Sequence, residues 1–489
     1  GTVPPEWGRP GSFPQLRSLY LNNNNLSGLL PSEWGAEGSF PSLELLFLGD
    51  NHFTGTLPPS WGSPGAFRRL SLLSAISNKL TGTLPTVWGT GGGFPKLQDL
   101  ILMDNRLTGT LPDEWGSEDA WGNLTGLLVA FNQLSGSLPA SWGSPGAFPR
   151  LGDVYLHRNR LTGPLPAQWG TPESLPNLRW LSAFDNQLTG PLPASWGSSN
   201  LVLPNLRNLF LSSNNFSGSL PVDWGRPNAF PELQNLDLSD NSGLDGPLPD
   251  TWGLSSAFPS LVQLRLHNCS LRGDLPASWG YSGGLDSLAM LTLQGNQLSG
   301  SIPAAWSQRF GAPSLTIVVK PGNDGLCGTA PDGVILVSAT PANASGGSTS
   351  VPGFGATELP GEFPSGAVLL SSSNSEVWGS RGRSSTVRFA GAGSAPEKEE
   401  VVVNDGGRVQ SVAKSASGGG AGGGTAVSAG GGGGGGSGGT AVSSGSDRGR
   451  TAVNRSGTGR SGGGVGSGSA VSGPPVNTGN LNEVQLPAC

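Results

Sequence analysis

Leucines alternate with polar residues over short stretches, and the stretches recur along the first two thirds of the chain. Leu16, Leu19 and Leu21 precede Asn24, and Leu43, Leu46 and Leu48 precede Asn51. The same spacing leads to Asn78, Asn105, Asn132, Asn159, Asn186, Asn214, Asn241 and Asn296, with Cys269 in the Asn slot once. Alternation at a period of two predicts a short strand, its leucines turned to one side and the intervening residues to the other. A tryptophan closes each unit, at Trp7, Trp34, Trp61, Trp88, Trp115, Trp142, Trp169, Trp196, Trp224, Trp252, Trp279 and Trp306, a spacing of 27 residues with two steps of 28. A fixed period of this length predicts stacked coils, each burying its apolar face on its neighbours.

One full unit runs from Phe148-Pro-Arg-Leu to Gly163-Pro-Leu165-Pro166-Ala-Gln-Trp169-Gly170. It resembles the plant-type leucine-rich repeat, and the resemblance covers residues 1 to 328. Leu-Pro and Trp-Gly stand where that family has Ile-Pro and Leu-Gly, a variant similar to repeats of green algae. The implied fold is an α/β solenoid: a right-handed leucine-rich-repeat horseshoe or superhelix with a parallel β-sheet on its concave face, followed by a disordered tail. Residues 1–328 then hold a partial first repeat, eleven full repeats and a closing half-repeat. The chain opens in the back half of a repeat, at Gly1-Thr-Val-Pro-Pro-Glu-Trp7, so upstream repeats or a cap are expected to precede it. Gly325-Leu326-Cys327-Gly328 resembles the end of plant-type ectodomains, where such a cysteine pairs with one close by; here only Cys489 follows.

The two invariant columns have structural readings. A sharp turn after each strand leaves backbone N–H and C=O groups inside the stack, and an Asn amide both donates and accepts. Trp at constant phase refills the core on the side away from the strands, burying about 200 Å² each; Trp121, in a Phe slot, is read the same way.

The outward strand positions carry the functional signal. They hold Tyr20, Phe47, Ile101, Leu128, Tyr155 and Phe210, flanked by Phe131, His157, Arg158, Arg179, Trp180, Phe184 and Arg207. A solvated strand has no need of so many large apolar groups, and Tyr, Trp and Arg favour binding hot spots. These residues are the expected partner-binding set, densest in repeats five to eight. Sequence drift and coverage of the patch by the tail are the competing readings.

From Thr329 to Cys489 the composition shifts to Gly, Ser and Ala, with tracts such as Gly431 to Gly436. This cannot bury enough apolar surface to offset the entropy of ordering and reads as a disordered spacer or stalk. Val334 to Val337 and Val368 to Leu370 are placed to pack on the solenoid end. A net charge of −6 gives no basic footprint for nucleic acid, and no apolar run approaches the ~20 residues of a membrane span.

Chemistry for catalysis is thin. His52, His157 and His267 fall in separate repeats and read as surface residues, and Cys269, Cys327 and Cys489 lack metal-ligand spacing. No phosphate loop or kinase signature occurs. The chain is therefore read as a non-enzyme without cofactor or metal. Acceptor triplets for N-glycosylation occur in the solenoid at Asn25, Asn123, Asn215 and Asn268, and beyond it at Asn343 and Asn454.

The favoured function is a recognition module that binds a protein, peptide or glycan on the concave face, in a receptor-like or secreted, extracellular or cell-surface protein. The alternatives are a cytoplasmic scaffold of cytoskeleton or axoneme, and the non-catalytic part of a receptor kinase.

Overall fold

The computed structural model describes residues 1–90, 92–118, 120–308, 314–339, 400–403, 409–412 and 481–489. Two compact units divide the chain, Gly1–Ala413 with Asn477–Cys489 and Lys414–Val476; the second lies outside the described residues.

Most coils supply three elements. The leucine alternation forms a strand of three residues, as at Asp153–Tyr155; the Leu-Thr-Gly stretch forms a second strand, as at Arg160–Gly163; the Trp-Gly end forms a 3-10 turn, as at Ala167–Gly170. Among the described residues there is no α-helix. The first strands pair in parallel and in sequence order from Ser18–Tyr20 to Met290–Thr292, and Leu315–Lys320 and Val334–Ala339 continue the series. Register holds from coil to coil, with Val154 facing Leu127 on one side and Leu181 on the other, and shifts only in the last parallel pair, at Val318 to Lys320. The second strands make sheets of their own, one of eight strands from Ser135–Gly136 to Gly325–Cys327 and one of three from Ser27–Leu29 to Lys79–Thr81. The solenoid fold is as the repeat implies; the second layer of sheet is not in the sequence reading.

Between the layers lies one continuous core of strand leucines and tryptophans. Trp169 stacks on Trp142 at 6.2 Å and on Trp196 at 6.3 Å, and its Nε1–H donates to the carbonyl of Pro139 at 3.0 Å. The proline directly before the 3-10 turn of one coil thus satisfies the one polar atom of the next coil's ring, which is otherwise buried in hydrocarbon. The glycine after Trp is needed for close approach, since a Cβ on Gly143 would sit 2.7 Å from the backbone of Gln168.

The asparagine column forms the expected ladder. Asn159 Nδ2 donates to the carbonyls of Val129 in the preceding coil and Leu156 in its own, at 3.1 and 3.0 Å, while its Oδ1 accepts from the Leu134 amide at 2.9 Å. Cys269 keeps the donor half only, its Sγ lying 3.5 Å from the carbonyl of Leu238.

The sheet does not stop at residue 328. Val334–Ala339 pairs with Leu315–Lys320, and Leu481–Glu483 returns from the far end of the chain to pair antiparallel with it. There Leu486 packs on the core, the Gly328 amide donates to the Pro487 carbonyl at 2.7 Å, and Cys489 is disulfide-bonded to Cys327. At the other edge Glu400–Val403 pairs in parallel with Ser18–Tyr20. The remainder of the expected tail, including Val368 to Leu370, lies outside the described residues.

Candidate functional site

A second apolar cluster, separate from the core, sits on the long sheet. It is built of Leu72, Ile101, Met103, Leu128, Ala130 and Tyr155, with Leu45, Phe47, Ile76, Phe131 and Trp180 packed around it. The cluster spans six neighbouring strands, roughly 24 Å at about 4.8 Å per strand. Aromatic rings extend it at both ends: Tyr20 stacks on Phe47 at 5.1 Å, and Trp180 lies 5.8 Å from Tyr155 and 5.3 Å from Phe210.

Several expected site residues are less open than the sequence reading assumed. Ile101 and Leu128 are each 1% exposed and Tyr155 is 6% exposed, because side chains on strands this close shield one another. The accessible part of the patch is its half-buried rim: Phe47, Phe131, Trp180, Phe184 and Phe210. Leu45, Leu72, Ile76, Met103 and Ala130 were missed, since the reading weighed the central outward position and the later repeats. Their signal was present in the columns on either side of that position in the earlier repeats.

His157 and His267 are not surface residues, contrary to expectation; His52 is. The His157 ring stacks on Phe184 at 4.4 Å, with Nδ1 3.0 Å from the Ser182 hydroxyl. Burial first, and the neighbouring Arg158 charge second, pull it down to about 3, so the ring is neutral at any physiological pH. His267 Nδ1 lies 2.9 Å from Thr292 Oγ1 and its Nε2 3.6 Å from Asp240 Oδ2. This hydroxyl, imidazole and carboxylate sequence has the order of a nucleophile relay, but Thr292 has no exposed surface with which to meet a substrate.

The arginines of the set are ion-paired across coils. Arg158 reaches Asp185 at 3.4 Å, Arg179 reaches Asp153 at 2.9 Å and Arg207 reaches Glu232 at 3.7 Å. The Arg158 guanidinium also lies over the Phe131 ring, 4.9 Å from its centre. Phe131 and Arg158 share a backbone peculiarity. They occupy the third residue after the strand, with φ of 56° and 54°, a left-handed conformation given to Asn23, Asp50, Ser77, Asp104 and Asp185 in other coils. Short polar side chains adopt that conformation at the least cost, although the separate Phe slot also holds it at Phe40, Phe67 and Phe94. Both departures from the local rule fall beside the apolar cluster.

Of the glycosylation acceptors, Asn25 and Asn215 are exposed. The Asn123 amide donates to the Pro95 carbonyl at 2.9 Å and that of Asn268 to Asp240 at 2.7 Å, so both are engaged; Asn343 and Asn454 lie outside the described residues. Cys269 is buried, and burial above all pushes its thiol up to about 12, which leaves it unreactive.

The Leucine Rich Repeat family model matches residues 15–36, 42–64 and 205–226. No curated protein is similar enough to count as a match. Among solved structures, the plant peptide hormone receptor RGFR1 in complex with RGF2 is 26% identical with a TM-score of 0.51, over 69% of this chain and 54% of that one. A TDR receptor is 26% identical with a TM-score of 0.53, over 66% of this chain and 56% of that one. The chain therefore spans little more than half the length of either. Three matched repeats, the parallel stacked sheets and the likeness to both receptor structures show a leucine-rich-repeat solenoid fold.

Proposed function

We propose that this chain is a recognition module whose long sheet binds a peptide or protein segment laid across the strands from Leu45–Phe47 to Trp180–Ser182. The observation that carries the reading is the second apolar cluster. A contiguous group of Leu, Ile, Met and aromatic side chains on a sheet face contributes nothing to the core and favours an apolar partner. Phe131 and Arg158, kept where the backbone disfavours them, support the same stretch. The likeness to a peptide hormone receptor favours a peptide over a glycan.

The Cys327–Cys489 bond supports an extracellular or cell-surface setting, because disulfides persist in oxidising compartments, and it weighs against the cytoskeletal scaffold. In that setting Asn25 and Asn215 are the solenoid positions open to a glycan. The Leu-Pro-x-x-Trp-Gly repeats support a likeness to the green-algal variants of the family.

Panning a random heptapeptide library against the full chain tests the reading. The parent protein enriches a consensus of apolar and aromatic residues, and the triple variant Phe131→Ser, Trp180→Ser, Phe184→Ser, which leaves the core and the Asn ladder intact, does not. The same consensus from both proteins would remove the long sheet as the site.

A further inference from the structure

Beside the apolar cluster, the first position of the long-sheet strands places Asp99, Gly126 and Asp153 on three neighbours in register. Asp153 holds a cation, with Arg179 Nη2 at 2.9 Å. Asp99 does not. It is 7% exposed, and among the described residues the one side chain bonded to its carboxylate is Thr125, whose hydroxyl lies 3.4 Å from Oδ1. The missing side chain of Gly126 gives the carboxylate its place, since a Cβ there would meet Asp99 Oδ1 at 2.6 Å.

A cavity of about 480 Å³ opens at this point, lined by Gln98, Asp99, Thr125, Arg150, Asn177 and Arg179. Its two cations do not offset Asp99: Arg179 is engaged by Asp153, and Arg150 is exposed. A buried carboxylate without a counter-charge is expensive, and a group of this kind at the wall of a cleft is a candidate binding residue. Burial, with the like charge of Asp153 as a smaller cause, pushes Asp99 up to about 6. It is thus ionised at neutral pH and poorly compensated.

We infer that Asp99 is the receptor for a cationic side chain, lysine or arginine, of the bound peptide, which enters this cavity while an apolar residue two or three positions away rests on Tyr155 and Trp180. The inference rests on the peptide-recognition reading above and specifies the ligand: one basic residue at a fixed distance from an apolar or aromatic one. The cation would supply Asp99 with the partner that Arg179 supplies to Asp153.

The test pans the same heptapeptide library at pH 7.4 against the full chain and its Asp99→Asn variant, after the variant's denaturation midpoint has been compared with the parent's. The parent selects peptides with a basic residue in fixed spacing to an apolar one; Asp99→Asn keeps the apolar residue and loses the basic one. A selected peptide binds Asp99→Asn at least tenfold more weakly than the parent, and changing its Lys or Arg to norleucine weakens binding to the parent but not to the variant. Apolar consensus without a basic residue, or an unchanged basic preference in Asp99→Asn, overturns the inference and leaves the sheet reading standing. No consensus from the parent overturns both. A lower midpoint for Asp99→Asn would assign Asp99 to the fold through Thr125 instead and also overturn it.

Discussion

The backbone N–H of Leu244 binds the carbonyl of Asn241, 3.0 Å away in its own coil. In the neighbouring coils the equivalent amide crosses to a ladder asparagine of the next coil, as Phe216 does to Asn241 at 3.2 Å and Leu271 to Asn296 at 3.0 Å. Leu244 follows Asn241 by three residues where Phe216 and Leu271 follow their ladder position by two, and the next coil offers it Cys269, whose thiol donates but accepts weakly. Cys269→Asn should restore the crossing and raise stability by about 1 kcal/mol, a typical net worth for such a bond. Asn159→Leu should do the opposite, leaving the Leu134 amide unsatisfied at about 1–3 kcal/mol, while the Val129 carbonyl keeps the Asn132 amide at 3.1 Å. Denaturant midpoints measure both, and an unmoved midpoint for Asn159→Leu would contradict the ladder.

Phe131 and Arg158 sit where the other coils prefer Asn, Asp or Ser. Phe131→Asn and Arg158→Asn should therefore fold at least as stably as the parent, gaining about 1 kcal/mol from relief of the left-handed backbone. Peptide binding should fall in both. Stability gained with binding lost is the signature of residues kept for a partner; a loss of stability would instead make the Arg158 stack on Phe131 part of the fold.

The raised pKa of Asp99 gives stability a pH dependence of known sign. The folded protein takes up this proton near pH 6 and the unfolded chain near the ordinary value of 3.8. Above pH 6 the ionised carboxylate is disfavoured in the fold by roughly 3 kcal/mol, at about 1.4 kcal/mol per unit. Stability from this group rises as pH falls through 6 and levels off near 4. Asp99→Asn should be the more stable protein at pH 7.5, with the gap closing by pH 4 in parallel urea titrations. His157 works in the opposite sense, losing stability as pH falls below the usual histidine range, but it is common to both proteins and cancels in their difference.

Cys489→Ser should loosen one end of the solenoid only. Loss of a disulfide that closes so long a loop costs about 2–4 kcal/mol. Coils contact only their neighbours, so the effect should stay near Val334–Ala339 and die out well before Asp153–Tyr155. Hydrogen exchange read strand by strand checks this, and uniform deprotection along the whole sheet would contradict it.

The sequence made the long sheet, the Asn ladder and the Trp column legible because each is a column, and a column is written many times over. Trp121 is an example: one odd residue read as core from its phase alone, and found stacked on Phe94 at 6.3 Å. The second sheet was hidden because Thr-Gly and Ser-Gly read as a turn. Leu161 inward and Thr162 outward do alternate, but the glycine that follows masks the strand. The site was half legible. Phe47, Tyr155 and Trp180 stand out by size, whereas Leu72 and Met103 look like any other strand residues until their separation from the core is known. Asp99 carries no signal in sequence at all, because its isolation depends on Gly126 beside it and on Arg179 being taken by Asp153.

The bond between Cys327 and Cys489 turns the last third of the chain into a covalent ring. A protease that cuts once inside that ring opens it without releasing a fragment, so the cleaved protein keeps its mass until a reductant is added. The same ring hides length from force. Pulled by its ends, the oxidised molecule transmits tension straight through the two sulfurs, and reduction would release roughly 550 Å of extended chain, at about 3.4 Å for each of the 162 residues that separate them.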